Sequence, residues 1–98
     1  MRITYSPRAV LDLADIGHYL AERSPSGAAA VERRIRTVIE LVAQFPASGR
    51  LVYARPAVSV IPLGTYPYRI FYTVFGDNEL IILHIRHTAR KPVGPDEL

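Results

Sequence analysis

The chain has 98 residues, 49% of them apolar and 21% charged, and it contains no cysteine. That length holds one compact domain over residues 1–98. The missing thiols exclude a disulfide scaffold, a thiolate nucleophile and a cysteine-built zinc site, and they suit a reducing cytoplasm. The N-terminus lacks the apolar core of a signal peptide, and no apolar run approaches the roughly 20 residues of a membrane span, so a soluble cytoplasmic protein is expected.

Twelve Lys+Arg against nine Asp+Glu give a formal charge of +3. The distribution says more than the sum. No acid occurs from Leu41 to Gly76, where Arg50, Arg55 and Arg69 lie, and none from Leu80 to Pro95, where Arg86, Arg90 and Lys91 lie. Eleven of the twelve cations are arginine. Its planar fork grips phosphates and carboxylates and is less strongly hydrated than an ammonium. An arginine-biased genome would explain the identity of the cation but not the missing acids.

Arg2-Ile3-Thr4-Tyr5 alternates polar with apolar and predicts a short strand, and Ser6-Pro7 follows as a helix cap and first-turn proline. Ala9, Leu13, Ile16 and Leu20 recur at helical spacing on one face, with Arg8 and Asp12 as an outward i,i+4 pair. The helix should end near Glu22 or Arg23, ahead of Pro25. Ser24-Pro25-Ser26-Gly27 is expected as a turn.

Ala28, Val31, Ile35, Val38, Val42 and Phe45 then mark a second helix, with Glu32, Arg36 and Glu40 as a charge ladder and Ile39 and Leu41 widening the apolar stripe. The short connection predicts an antiparallel helical hairpin. From Arg50 to Pro56 there is no periodicity. Strands are predicted over Val58–Leu63, Tyr68–Phe75 and Glu79 to about His87, joined by short turns as a meander. The tail 91–98 holds two prolines and a glycine and is expected to be loose. The sum is an α+β fold of order β-α-α-β-β-β: an N-terminal strand, then a two-helix hairpin packed on one face of a small, mostly antiparallel sheet.

Strand alternation sets Ile70, Tyr72 and Val74 against Arg69, Phe71 and Thr73, and Ile81, Leu83 and Ile85 against Leu80, Ile82, His84 and Arg86. If the wholly apolar sets face the helices, the opposite surface carries Arg69, His84 and Arg86 beside Phe71, Leu80 and Ile82. Such a mixture predicts a covering partner.

Several ordered motifs resemble the ParE/RelE toxin superfamily of type II toxin–antitoxin modules, closer to the ParE branch. They are Ser6-Pro7 with Leu13, Ile16, Tyr19 and Leu20; Phe45-Pro46 with Gly49-Arg50; Tyr68-Arg69-Ile70-Phe71-Tyr72; and Ile82-Leu83-His84-Ile85-Arg86-His87 with Ala89-Arg90. The resemblance spans nearly the whole chain. It implies the fold just derived, a toxin that inhibits DNA gyrase, and a cognate ParD-like antitoxin that silences it. RelE-type relatives instead cut messenger RNA on the ribosome, and an interaction module of the same fold without toxicity is the third reading.

Metal-free RNA cleavage needs a base, cations for the phosphorane and an acid. Arg69, Arg86, His87 and Arg90 would have to supply them, yet the extra lysines and terminal acid/base group of RelE-type enzymes are missing. Arg50, Arg69, Arg86 and Arg90 are therefore expected to form a target-binding surface, unless helix acids such as Asp12 pair with them. Direct nucleic-acid contact is compatible with that surface but not required by it. Phe71, Leu80 and Ile82, with Ile39 and Leu41, are expected to bind the antitoxin, whose C-terminal arm should be acidic to complement the arginines. His84, inside an apolar strand, fits a hydrogen-bonded structural role, and His18 fits a surface pair with Asp15 or Glu22. No metal site, cofactor or membrane contact is predicted.

Overall fold

The computed structural model describes residues 1–89, so Arg90 and the tail 91–98 lie outside the described residues. In chain order the elements are β1 (Arg2–Tyr5), α1 (Pro7–Arg23), α2 (Pro25–Gln44), a 3-10 turn (Pro46–Ser48), β2 (Arg50–Val52), β3 (Arg55–Pro62), β4 (Tyr68–Phe75) and β5 (Glu79–His87). The strands form one sheet of order β1-β5-β4-β3-β2. β1 runs parallel to β5, and the remaining pairs are antiparallel. This is the expected α+β architecture with one addition, the short strand β2.

Two Ser-Pro pairs start the two helices. Ser6 Oγ accepts from Ala9 N–H at 3.0 Å, and Pro7 occupies the first turn, where its missing N–H costs no helical bond. Ser24 repeats the device. Its N–H closes α1 on Leu20 O at 2.7 Å, and its Oγ accepts from Gly27 N–H at 3.1 Å. The predicted turn 24–27 therefore shrinks to Ser24 alone, and Pro25 already belongs to α2.

The core lies between the helices and one face of the sheet. Val31, Ile35, Val38, Ile39 and Val42 of α2 pack with Ala9 of α1 and with Ile70, Tyr72, Leu80, Ile82 and Ile85 of the sheet. Burying each large side chain of this set contributes about 1.5–3 kcal/mol relative to leaving it exposed. Leu13, Ile16 and Leu20 line the margin as partly buried neighbours. Phe45, expected to close the apolar stripe of α2, is instead 60% exposed, because the helix ends at Gln44 and Phe45 caps it.

One irregularity decides which residues of β5 face this core. Phe71 pairs with His84 but Tyr72 pairs with Ile82, so Leu83 is an extra residue, a β-bulge. An insertion of one residue exchanges the two faces of everything beyond it. Leu80 and Ile82 before the bulge and Ile85 after it therefore share the helix side. The predicted division of β5 into two regular alternating sets fails for that reason.

Candidate functional site

The helix-free face of the sheet carries the arginines. Pairing runs Arg50↔Val60↔Phe71↔His84 in one row and Pro62↔Arg69↔Arg86 in the next. Paired residues share a face, and Arg69 and Phe71 alternate with the core residues Ile70 and Tyr72. Arg50, Arg69 and Arg86 consequently lie on the outer side together, with Arg50 and Arg69 exposed and Arg86 half-buried. Arg69 and Arg86 are directly opposite, and like charges so placed repel and raise the local positive potential. The outer face thus suits an anionic partner.

The apolar half of the expected docking surface is not there. Leu80 and Ile82 are 0% exposed and Ile39 is 2% exposed, all within the core beneath the helices. Phe71 keeps the outer face but is buried. Of the five residues expected to meet an antitoxin, Leu41 alone is exposed. The bulge explains Leu80 and Ile82; Ile39 follows from α2 pressing its flank onto the sheet.

Arg50 is positioned by a contact that the sequence did not announce. The buried Tyr72 hydroxyl donates to Pro46 O at 2.7 Å and accepts from Gly49 N–H at 2.9 Å. A Cβ at residue 49 would run into that hydroxyl, so only glycine fits. Phe45-Pro46…Gly49-Arg50 and Tyr72 are therefore two halves of one clasp, which turns the chain from α2 into β2.

The second half of β5 holds a buried polar cluster. β1 pairs with β5 only as far as Tyr5↔Ile82. Beyond that point Ser6 and α1 meet the strand edge. Ser6 N–H donates to Ile82 O at 2.9 Å and Ser6 Oγ donates to Leu83 O at 2.8 Å. Asp12 Oδ2 accepts from Ile85 N–H at 2.9 Å and is hydrogen-bonded to His84 Nδ1, while Arg8 Nε stands 3.4 Å from Asp12 Oδ1. Asp12 is 8% exposed and His84 3%. The expected outward Arg8–Asp12 pair is thus half right, because the ion pair forms but the carboxylate turns inward.

His87 is placed on the other side of the sheet from Arg50, Arg69 and Arg86. It pairs with Tyr68, whose ring it meets edge-on at 5.2 Å between centroids, and its Nδ1 accepts from Ala89 N–H at 3.0 Å. With Arg8, Asp15, Tyr19 and Tyr68 it lines a cleft of about 250 Å³ against α1. At the opposite end of β5, Glu79 accepts from Thr4 Oγ1 at 2.8 Å and meets Arg2 at 3.2 Å. The Thr4 hydrogen bond, helped by Arg2, holds its carboxyl below the usual carboxylate range. Among the described residues no group of three or more His, Asp or Glu is arranged to hold a metal ion, and no helix is long and apolar enough to cross a membrane.

Strand, helical hairpin and a sheet with one basic, helix-free face define a small α+β protein. Residues 3–92 match the family model for the ParE toxin of the type II toxin–antitoxin system parDE, and the chain belongs to that family. Toxin RelE2 of Caulobacter vibrioides is 34% identical over 90 residues, covering 91% of this chain and 97% of that protein. A solved structure described as the chromosomal ParDE TA system from P. aeruginosa is similar with a TM-score of 0.73 and 25% identity, covering 89% of this chain and 95% of that one. The chain is a type II toxin of the ParE/RelE superfamily, and membership implies an antitoxin partner.

Proposed function

We propose that this toxin acts in the bacterial cytoplasm by binding DNA gyrase through Arg50, Arg69 and Arg86. Arg90, three residues past β5 and outside the described residues, joins them by its place in the sequence. The observation that carries this reading is the separation of the groups a ribonuclease would need. Arg69 and Arg86 lie on the outer face, while His87 pairs with Tyr68 and lines the cleft against α1. His84 is sealed and bonded to Asp12. A general base must stand within hydrogen-bond reach of the proton it takes, together with the cations that stabilise the phosphorane. Among the described residues neither histidine of β5 stands with Arg69 and Arg86 in that way, which supports reading those two arginines as a binding surface.

The antitoxin completes the reading. An acidic C-terminal arm suits a chain without a single acid from Leu41 to Gly76, and opposite charge speeds the encounter. Leu41, with Phe45 beside it at the end of α2, offers that arm an exposed apolar anchor.

The test is direct. Purified toxin added to gyrase with plasmid should block supercoiling or trap cleaved DNA, and the cognate antitoxin should relieve the effect. No effect at high excess, together with defined cuts in a translated message, would replace this reading by the RelE-type endonuclease. Expression that leaves growth untouched without the antitoxin gene would leave only an interaction module.

A further inference from the structure

A second basic site lies on the helix side of the molecule. Ala30, Arg34, Thr37 and Leu41 recur along α2 at spacings of four, three and four, so they share one line of the helix, and the last three are exposed. The turn 64–67 between β3 and β4 comes up beside this line, with Gly64 at a φ of +83°. Helix and turn together form a cleft of about 280 Å³ lined by Ala30, Arg33, Arg34, Thr37, Thr65 and Tyr66. The lining thus holds two guanidinium groups and the hydroxyls of two threonines and a tyrosine, and no carboxylate. Arg34 is held in place although it is exposed. Its Nε donates to Leu63 O at 2.9 Å, and a Cβ on Gly64 would stand 3.5 Å from its Nη2, so the guanidinium lies over the turn. Among the described residues the arginine ion pairs engage Arg2, Arg8 and Arg36, and neither Arg33 nor Arg34 takes part in them. Donors fixed before a ligand arrives lower the ordering cost of binding.

Guanidinium and hydroxyl donors around one hollow suit an oxyanion, either a phosphate or a carboxylate. The rest of α2 decides between them. Glu40 is exposed and lies two turns beyond Arg33 on the same line of the helix, where it would repel a phosphate backbone following the strip. A peptide meets no such obstacle, because it can set one carboxylate in the cleft and an apolar side chain on Leu41, which is 46% exposed. We infer that the cleft between α2 and the turn 64–67 takes a carboxylate of an acidic peptide segment, the arm of the antitoxin, whose apolar neighbour rests on Leu41. Arg34 and Leu41 are about 10 Å apart along the helix, a span that an extended arm covers in about three residues. The arm is thus expected to carry Asp or Glu about three positions from a large apolar residue. The inference deepens the proposed function and rests on its acidic arm, giving that arm a site on α2 in place of the outer arginine face.

Capture of the cognate antitoxin by the full-length toxin, followed by biolayer interferometry over a range of salt concentrations, tests the site. Arg33→Ala removes an exposed guanidinium and leaves a good helix former, so the melting temperature should stay parental. Its Kd for the antitoxin should rise about tenfold or more, and the salt dependence of capture should flatten. Arg23→Ala makes the same charge change at the far end of α1 and should stay within about twofold of the parent. Capture by Arg33→Ala as tight as the parent's would overturn the inference, and so would an equal loss in Arg23→Ala, the mark of a general charge effect. Arg69→Ala, on the outer face, tells this failure from that of the acidic arm itself. Loss at Arg69 with none at Arg33 would leave the arm standing on the other face, and loss at neither would end both. No gyrase enters the measurement, so the gyrase reading stands or falls separately.

Discussion

The two halves of β5 are held by different chemistry. Glu79–Ile82 lies between β4 and β1, with backbone neighbours on both sides and Leu80 and Ile82 sealed in the core. From Leu83 onward β1 has ended, and one edge of the strand is met by Ser6 and Asp12 of the α1 region. The first half is secured by a ladder and apolar burial, which tolerate small changes in any one group. The second depends on a few polar atoms in fixed places, because each buried donor or acceptor left unpaired costs its full desolvation. The arginine-bearing end of the strand is thus the end most sensitive to single substitutions.

The sharpest way to break the second half is Asp12→Ala. It leaves the His84 ring and Ile85 N–H buried without the carboxylate, and the expected loss is about 3–5 kcal/mol in urea unfolding. A loss below the roughly 1 kcal/mol of an ordinary surface pair would mean that the cluster is no more than a surface ion pair. In the first half, Ile82→Ala should cost about 2–5 kcal/mol by opening a cavity, without altering the Arg69–Arg86 register. Ser6→Ala, at the junction of the halves, removes a cap and the bulge carbonyl's donor, and about 0.5–2 kcal/mol should disappear from the melting free energy.

The smallest effect belongs to the exposed end. Glu79 is held below the ordinary carboxylate range in the fold, so its contribution is present above that range and is lost as pH falls through the folded value. Melting curves in acid should show a slightly steeper loss for the parent than for Glu79→Gln. Identical slopes would mean that the Thr4 and Arg2 contacts do not persist in solution.

The same comparison explains what was legible in the sequence. α1 and the bounds of β1, β4 and β5 follow from Ser6-Pro7, from three-four spacing and from turn residues, because local chemistry and tertiary burial agree there. The second Ser-Pro pair was equally informative, but Gly27 so close behind it suggests a turn rather than a first helical turn. β2 has three residues and no period to detect. The bulge is hidden for a deeper reason: Leu80, Ile81 and Ile82 fit either face, so the polar His84 and Arg86 extend one regular alternation back over Leu80 and Ile82. Asp12, which meets this segment, sits 72 positions away from His84 and reads in the sequence as an ordinary i,i+4 pair with Arg8. Arg50, Arg69 and Arg86 are nonetheless legible, since two acid-free stretches are visible in composition alone. Alternation and stripe width point Leu80, Ile82 and Ile39 outward, and packing overrules both.

The measurement that bears most directly on the arginine face is gyrase inhibition by Arg69→Ala. Arg69 is exposed and lies outside the core, so its truncation should leave the melting temperature unchanged. Loss of a guanidinium at a binding surface predicts inhibition weakened about tenfold or more. Inhibition equal to that of the parent, at matched concentrations of folded protein, would contradict a gyrase-binding role for this face of the sheet.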